Sequence, residues 1–186
     1  MKIWLAKIWK ILRLPKNFQL HVMRFMQSQF LVGVTGIIFN DNNEVLLFKH
    51  TYRQVEWSLP GGYLASKEHP TEGLEREVEE ECGLIVSGDH QMMLRTDRDT
   101  ARLDIVIIGT FIGGTFKPSS EVIEYGFFAF DELPDIMKKQ VLLIHKAMQL
   151  NSVNKSIKRA SVVQSSKVSD NTIRDKIFSL FKRKSK

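Results

Sequence analysis

One cysteine, Cys82, stands among 186 residues. A lone thiol excludes an intramolecular disulfide framework and suits a reducing compartment. No apolar run approaches the roughly 20 residues needed to span a bilayer. The first 30 residues contain no Asp or Glu. The opening MKIWLAKIWKILRLP has the apolar look of a leader. Lys7, Lys10 and Arg13 interrupt it, however, and no small-x-small cleavage site follows soon after. No internal repeat is present. What remains is 43% hydrophobic and 26% charged, the composition of a soluble globular protein. The length suits one domain with extensions.

The net charge of +6 is unevenly spread. Residues 1–30 carry six Lys/Arg and no acid. Residues 31–150 carry 11 basic and 19 acidic residues, a net of −8. Residues 151–186 carry 10 basic and two acidic residues, a net of +8. The basic balance therefore belongs to the two ends, and the middle is acidic. This divides the chain into an N-terminal extension over 1–29, a domain over 30–150 and a basic tail over 151–186.

In the extension, Trp4, Leu5, Ile8, Trp9, Ile11 and Leu12 share half of a helical wheel. Lys2, Lys7, Lys10 and Arg13 fill the other half, and Pro15 ends the helix. A second helical stretch is expected over 17–28. Residues 30–39 read as a buried strand, the cluster at 40–43 as a turn, and 44–49 as the returning strand. Further strands are expected at 57–59, 84–87, 103–112 and 124–130. A helix is expected over 70–82, with Pro70 in its first turn and Gly83 just past its end. Another opens at 131–134 and runs to about residue 150. Strands flanking two helices, without regular βαβ alternation, predict an α+β domain with a mixed sheet. The tail shows no period until Ile173, Ile177, Phe178, Leu180 and Phe181 again share a face among basic residues.

The most informative segment is GYLASKEHPTEGLEREVEEECGL over 62–84. On the helix over 70–82, Glu77, Glu80 and Glu81 fall within an arc of about 100°. Spacings of i, i+3 and i+4 set these carboxylates side by side. Leu74, Val78 and Cys82 make the neighbouring apolar stripe. Such a carboxylate cluster is unfavourable when empty, more so near a helix C-terminus. A divalent cation reverses both penalties, and an all-oxygen site suits Mg²⁺ or Mn²⁺. A plain solvated helix face accounts for Glu72, Glu75 and Glu79. It does not account for Gly62, Glu68, Arg76 and Gly83 at their fixed intervals.

Those intervals fill every position of G-x5-E-x7-R-E-U-x-E-E-x-G-U, with U apolar. The segment, with its lead-in Trp57-Ser58-Leu59-Pro60-Gly61, resembles the box of the Nudix hydrolase superfamily, MutT-like proteins included. The resemblance covers about residues 30–150. It implies an α/β/α sandwich around a mixed sheet. It also implies Mg²⁺-dependent hydrolysis of a nucleoside diphosphate linked to a further group X. By the same resemblance Glu80 and Glu81 bind the metal, Glu77 is a ligand or the general base, and the Gly61 carbonyl completes the shell. Arg76 orients the glutamates, pairing with Glu68. A further carboxylate outside the box is expected at Glu124, with Glu121 as the alternative.

Substrate marks are sparse. Residues 85–100 lack an S-Q-P-W-P-F-type run, the proline about 16 residues past the box that often goes with ADP-ribose hydrolysis, and a tyrosine at nearly the same place. Lys49, His50, Tyr52 and Arg53 lie in position to bind phosphate or stack on a base, Tyr52 and Arg53 foremost. His69 reads as a surface residue at a helix start. The expected location is cytoplasmic, or peripheral at a membrane surface through residues 2–14 and 173–186. A homodimer is the other use for the N-terminal helix. Two other functional classes stay open: an RNA 5′-end pyrophosphohydrolase served by the basic tail, and a non-catalytic nucleotide-sensing module.

Overall fold

A computed structural model describes residues 15–97 and 99–152. The helix expected over 2–14 and the amphipathic pattern over 173–186 lie outside them. The second helix expected in the extension is present as α1 (Lys16–Met26), directly after Pro15. None of its residues is buried, and Phe25 is 92% exposed.

Six strands form one sheet: β1 (Leu31–Phe39), β2 (Val45–His50), β3 (Trp57–Ser58), β4 (Leu84–Asp97), β5 (Arg102–Gly114) and β6 (Val122–Phe128). Their order is β3-β2-β1-β5-β4, with β6 also paired to β2. The β1–β5 pair is parallel and the other pairs are antiparallel, so the sheet is mixed. Among the described residues two helices flank it: α2 (Pro70–Cys82) and α3, which covers 138–152.

The strands alternate their apolar side chains between two cores, as a period of two requires. Ile38, Leu46, Phe48, Ile105 and Ile107 face one cluster, which takes Leu74, Val78 and Cys82 from α2. Ile37, Phe39, Val45, Leu47, Val106 and Ile108 face the other, which takes Leu143, Ile144 and Ala147 from α3. A sheet buried on both faces between helices is an α/β/α sandwich, as expected. At Gly36 an added Cβ would lie 2.8 Å from Leu74 Cδ1, so the bare backbone of β1 lets α2 approach closely.

Several boundaries differ from the sequence expectations. Strand β4 extends to Asp97 instead of stopping near 87, because it stays paired to β5 through three register shifts. Those bulges break the alternation that would reveal a strand. Residues 130–132 form a short 3-10 turn, and regular helix begins only at 138. Pro134 disfavours helix at Leu133, whose ψ of 132° is extended. Among the described residues no helix is long and apolar enough to cross a membrane.

The segment after β3 positions the site. It runs antiparallel to β1 as far as Leu64. Gly36 N–H donates to the Pro60 carbonyl (2.8 Å), and Val34 N–H to that of Gly62 (2.9 Å). Leu64 N–H in turn donates to the Val32 carbonyl (2.9 Å). The glycine turn is thereby fixed to the central strand, beside α2.

Candidate active site

Helix α2 is well specified at both ends. His69 is its N-cap and Glu72 closes a capping box by accepting from the His69 N–H at 2.8 Å. Gly83 adopts the left-handed conformation at the other end, with φ of 73°. Between them Leu74, Val78 and Cys82 are buried, as the wheel requires. The Cys82 thiol donates to the Val78 carbonyl at 3.2 Å, and burial pushes its pKa up to about 11. It is a packing group and not a nucleophile. Glu75 accepts from the Gly88 N–H at 2.8 Å, which ties α2 to the start of β4.

Arg76 gathers the polar flank. Its Nε donates to Glu68 Oε2 at 3.0 Å and its Nη2 to Glu68 Oε1 at 2.9 Å, the expected pairing in bidentate form. Nη1 reaches Glu77 Oε1 at 3.0 Å and Glu80 Oε2 at 2.9 Å, and Nη2 also reaches the Tyr63 carbonyl. These bonds hold Glu68 at a pKa of about 2, with Arg76 the main cause and the Ala65 N–H the next. One guanidinium therefore orders three acidic side chains and the loop before the helix.

Glu81 is placed differently. Its Oε2 is buried without a hydrogen-bond partner. Burial first, then the charges of Glu77 and Glu121, raise its pKa to about 7, against a smaller opposing effect of Arg53. The glycine turn presses on the same region. A Cβ at Gly62 would overlap the Glu77 carboxyl group. A Cβ at Gly61, where φ is 147°, would overlap the Val34 carbonyl. Among the described residues no three His, Cys, Asp or Glu side chains already converge on one point. Glu80 is drawn outward to Arg76, with its side chain 64% exposed. The residues nevertheless fit a hard divalent cation. The donors are all oxygen, and one buried carboxylate oxygen has no other partner.

The two candidates outside the box separate. Glu124 pairs with Lys49 at 3.3 Å and is 56% exposed. Glu121 is instead the carboxylate whose charge reaches Glu81. The reason is the β2–β6 pairing, which sets Glu124 opposite Lys49. Arg53 also joins the site, with its Nη1 2.8 Å from Ser58 Oγ and its guanidinium 5.5 Å from the Tyr52 ring. Tyr52 is 61% exposed beside it. His50 is buried beside Tyr52, their ring centroids 5.5 Å apart.

A cleft of about 340 Å³ opens from Gly61 and Arg53 toward the β4–β5 ribbon and the first turn of α3. The sequence reading missed the residues of its far wall: Arg95, Asp97, Arg102 and Asp104. Arg102 lies opposite Asp97 and Asp104 opposite Arg95 across the ribbon. Their period-two spacing is visible in the sequence, but only once β4 is extended to 97. Lys139 and Gln140 of α3 carry no local signal at all.

Comparisons with known proteins agree with this architecture. A family profile for the NUDIX domain matches residues 29–148. An ADP-ribose pyrophosphatase of Methanocaldococcus jannaschii is 35% identical over 111 residues, which is 56% of this chain and 65% of that protein. This chain thus spans just under two thirds of that relative's length. The solved structure of a UDP-X diphosphatase superposes with a TM-score of 0.59 at 23% identity, over 74% of this chain and 73% of the other. That of an ADP-ribose pyrophosphatase from Streptococcus suis gives 0.55 at 27% identity, over 64% and 92%. With the profile covering most of the chain and the box lying on α2 beside its glycine turn, this protein belongs to the Nudix family.

Proposed function

We propose that the chain hydrolyses a pyrophosphate bond in a nucleoside diphosphate linked to a second group X, with Mg²⁺ or Mn²⁺ bound. The observation that carries this is the buried, unpartnered Oε2 of Glu81 among the charges of Glu77 and Glu121. A carboxylate kept there against desolvation and like charge is stabilised by a bound cation. Glu77, Glu80, Glu81 and the Gly61 carbonyl would hold the ion. Glu121, in preference to Glu124, is the carboxylate from outside the box. When bound, the ion neutralises pyrophosphate oxygens and acidifies a water.

The chain's own residues do the rest. Arg76 holds Glu77 and Glu80 in register, and Glu68 holds Arg76. Arg53, with no carboxylate within ion-pair distance among the described residues, is available to a phosphate oxygen. Glu77 or Glu121 takes the proton of the attacking water. The water oxygen bonds to phosphorus as the bridging P–O bond breaks, leaving a nucleoside monophosphate and the phosphate of X. Positioning and charge stabilisation supply most of the acceleration.

Two of the similar proteins are named for ADP-ribose and one for UDP-X. Nucleotide sugars therefore head the substrate panel, although the proline often linked to ADP-ribose is absent. The test is a product-resolved screen with Mg²⁺ or Mn²⁺ across nucleotide sugars, nucleoside triphosphates, dinucleotides, CDP-alcohols and 5′-triphosphate RNA. Release of a monophosphate from one class is expected, falling at least a hundredfold in Glu80→Gln/Glu81→Gln. Undiminished turnover in that variant would overturn the metal assignment. Saturable binding with no turnover anywhere would point to a sensor.

A further inference from the structure

The cleft beyond the glycine turn is built for charge. Arg53, Arg95, Arg102 and Lys139 line it against two carboxylates, Asp97 and Asp104, a net of +2. This excess sits in a domain whose residues 31–150 sum to −8. Asp104 is already shared by Arg102 (2.6 Å) and Arg95 (3.3 Å), so it neutralises one of the pair and leaves the other's charge over. Arg53 and Lys139 have no carboxylate within 4 Å among the described residues. Asp97 acts on Lys139 only at longer range.

A second observation lies at the inner wall. Gln140 is 8% exposed, and its Oε1 is buried without a partner. A buried amide oxygen left unpaired is costly unless a ligand donates to it. Gln140 and Lys139 belong to the first turn of α3, whose dipole adds partial positive charge toward an anion. Leu59, Met137 and Leu143 give an apolar floor, and none of the lining residues is aromatic. Among the described residues the cleft offers a base no aromatic ring to stack on.

We propose that this cleft holds X, and that X is a hydroxyl-bearing group with a negative charge of its own, of the class of an acidic sugar. Lys139 and the spare guanidinium charge of Arg95 and Arg102 meet the anion. Gln140 Oε1 accepts from a hydroxyl, and Gly61 at the rim places the pyrophosphate at the box. The proposal rests on the hydrolase reading for which bond is cut, but a binding measurement tests it separately.

The test uses UDP-glucose and UDP-glucuronate, which differ by one carboxylate, and the full chain. A kcat/KM at least fivefold higher for the acidic member is expected, carried by KM. Lys139→Gln should cut that preference by half or more, and Lys146→Gln, outside the cleft, should leave the ratio unchanged. Gln140→Leu should weaken binding of both sugars without altering the ratio. A preference at or below one, or a preference unmoved by Lys139→Gln, overturns the proposal. If neither compound is cleaved, calorimetric binding of the same pair decides. Tighter binding of UDP-glucuronate retains the charged-X assignment while hydrolysis of this class is lost. Equal or absent binding overturns the assignment.

Discussion

Gly61 and Gly62 are neighbours with different physical duties. Gly61 has φ of 147°, and a Cβ there would overlap backbone, the Val34 carbonyl. Gly62 has no such strain, and its Cβ would meet only the end of a side chain, the Glu77 carboxyl. Gly61→Ala should therefore cost stability, about 1–3 kcal/mol in urea denaturation. Gly62→Ala should leave the unfolding midpoint within about 2 °C yet lower kcat/KM at least tenfold, because Glu77 must move. Equal stability losses in both variants would refute the distinction. His50 supplies a pH prediction. Burial, with a smaller contribution from Arg53, holds its pKa down near 4 against an ordinary 6.5. Between those values the unfolded chain binds a proton that the folded chain does not, so stability is lost as pH falls through this window. The loss is on the order of 3 kcal/mol by linkage. His50→Gln should flatten the slope of unfolding free energy between pH 6.5 and 4, and an unchanged slope would exclude His50 as its source.

At the scale of elements, α2 is the most legible part of the chain. Its cap, its left-handed stop and its apolar stripe are all local in sequence, and the helix forms with the boundaries they imply. Leu74 is its anchor, fully buried and seated over Gly36 of β1. Leu74→Ala should destabilise the fold by about 2–5 kcal/mol in equilibrium denaturation. A loss under about 1 kcal/mol would mean that α2 is not held through this contact. Strand β4 was less legible, since its pairing with β5 survives shifts of register that hide the alternation. The helix α3 starts several residues later than its sequence suggests, because the acidic run before Pro134 resembles a helix start and instead makes a 3-10 turn. The extra length of β4 carries Arg95 and Asp97 of the cleft wall, whereas Lys139 and Gln140 lie in the helix as expected and have no local pattern.

For the molecule as a whole, charge is segregated between an acidic domain and two basic ends. Helix α1 contributes no buried residue to the described fold. We predict that removing residues 1–28 shifts the thermal midpoint by no more than about 2 °C. A fall beyond about 5 °C would place this segment within the fold or its assembly. Liposome co-sedimentation of the full chain and of that deletion tests the membrane contact expected of residues 2–14, with weaker binding to anionic vesicles the expected result.

The sequence by itself determined the family and the helix that bears its box. The i, i+3 and i+4 carboxylates, the Arg76–Glu68 interval and the glycines are short-range patterns that one loop and one helix express directly. Only the tertiary structure decided which further groups meet that helix. The charge of Glu121 acts on Glu81 while Glu124 is held by Lys49, because β6 sets Glu124 opposite Lys49 and the register shifts before Val122 meets His50. Arg95, Arg102, Lys139 and Gln140 face a common cleft because a long ribbon and a distant helix fold over the same turn. Such meetings depend on contacts far apart in sequence, where neither period nor spacing carries a trace.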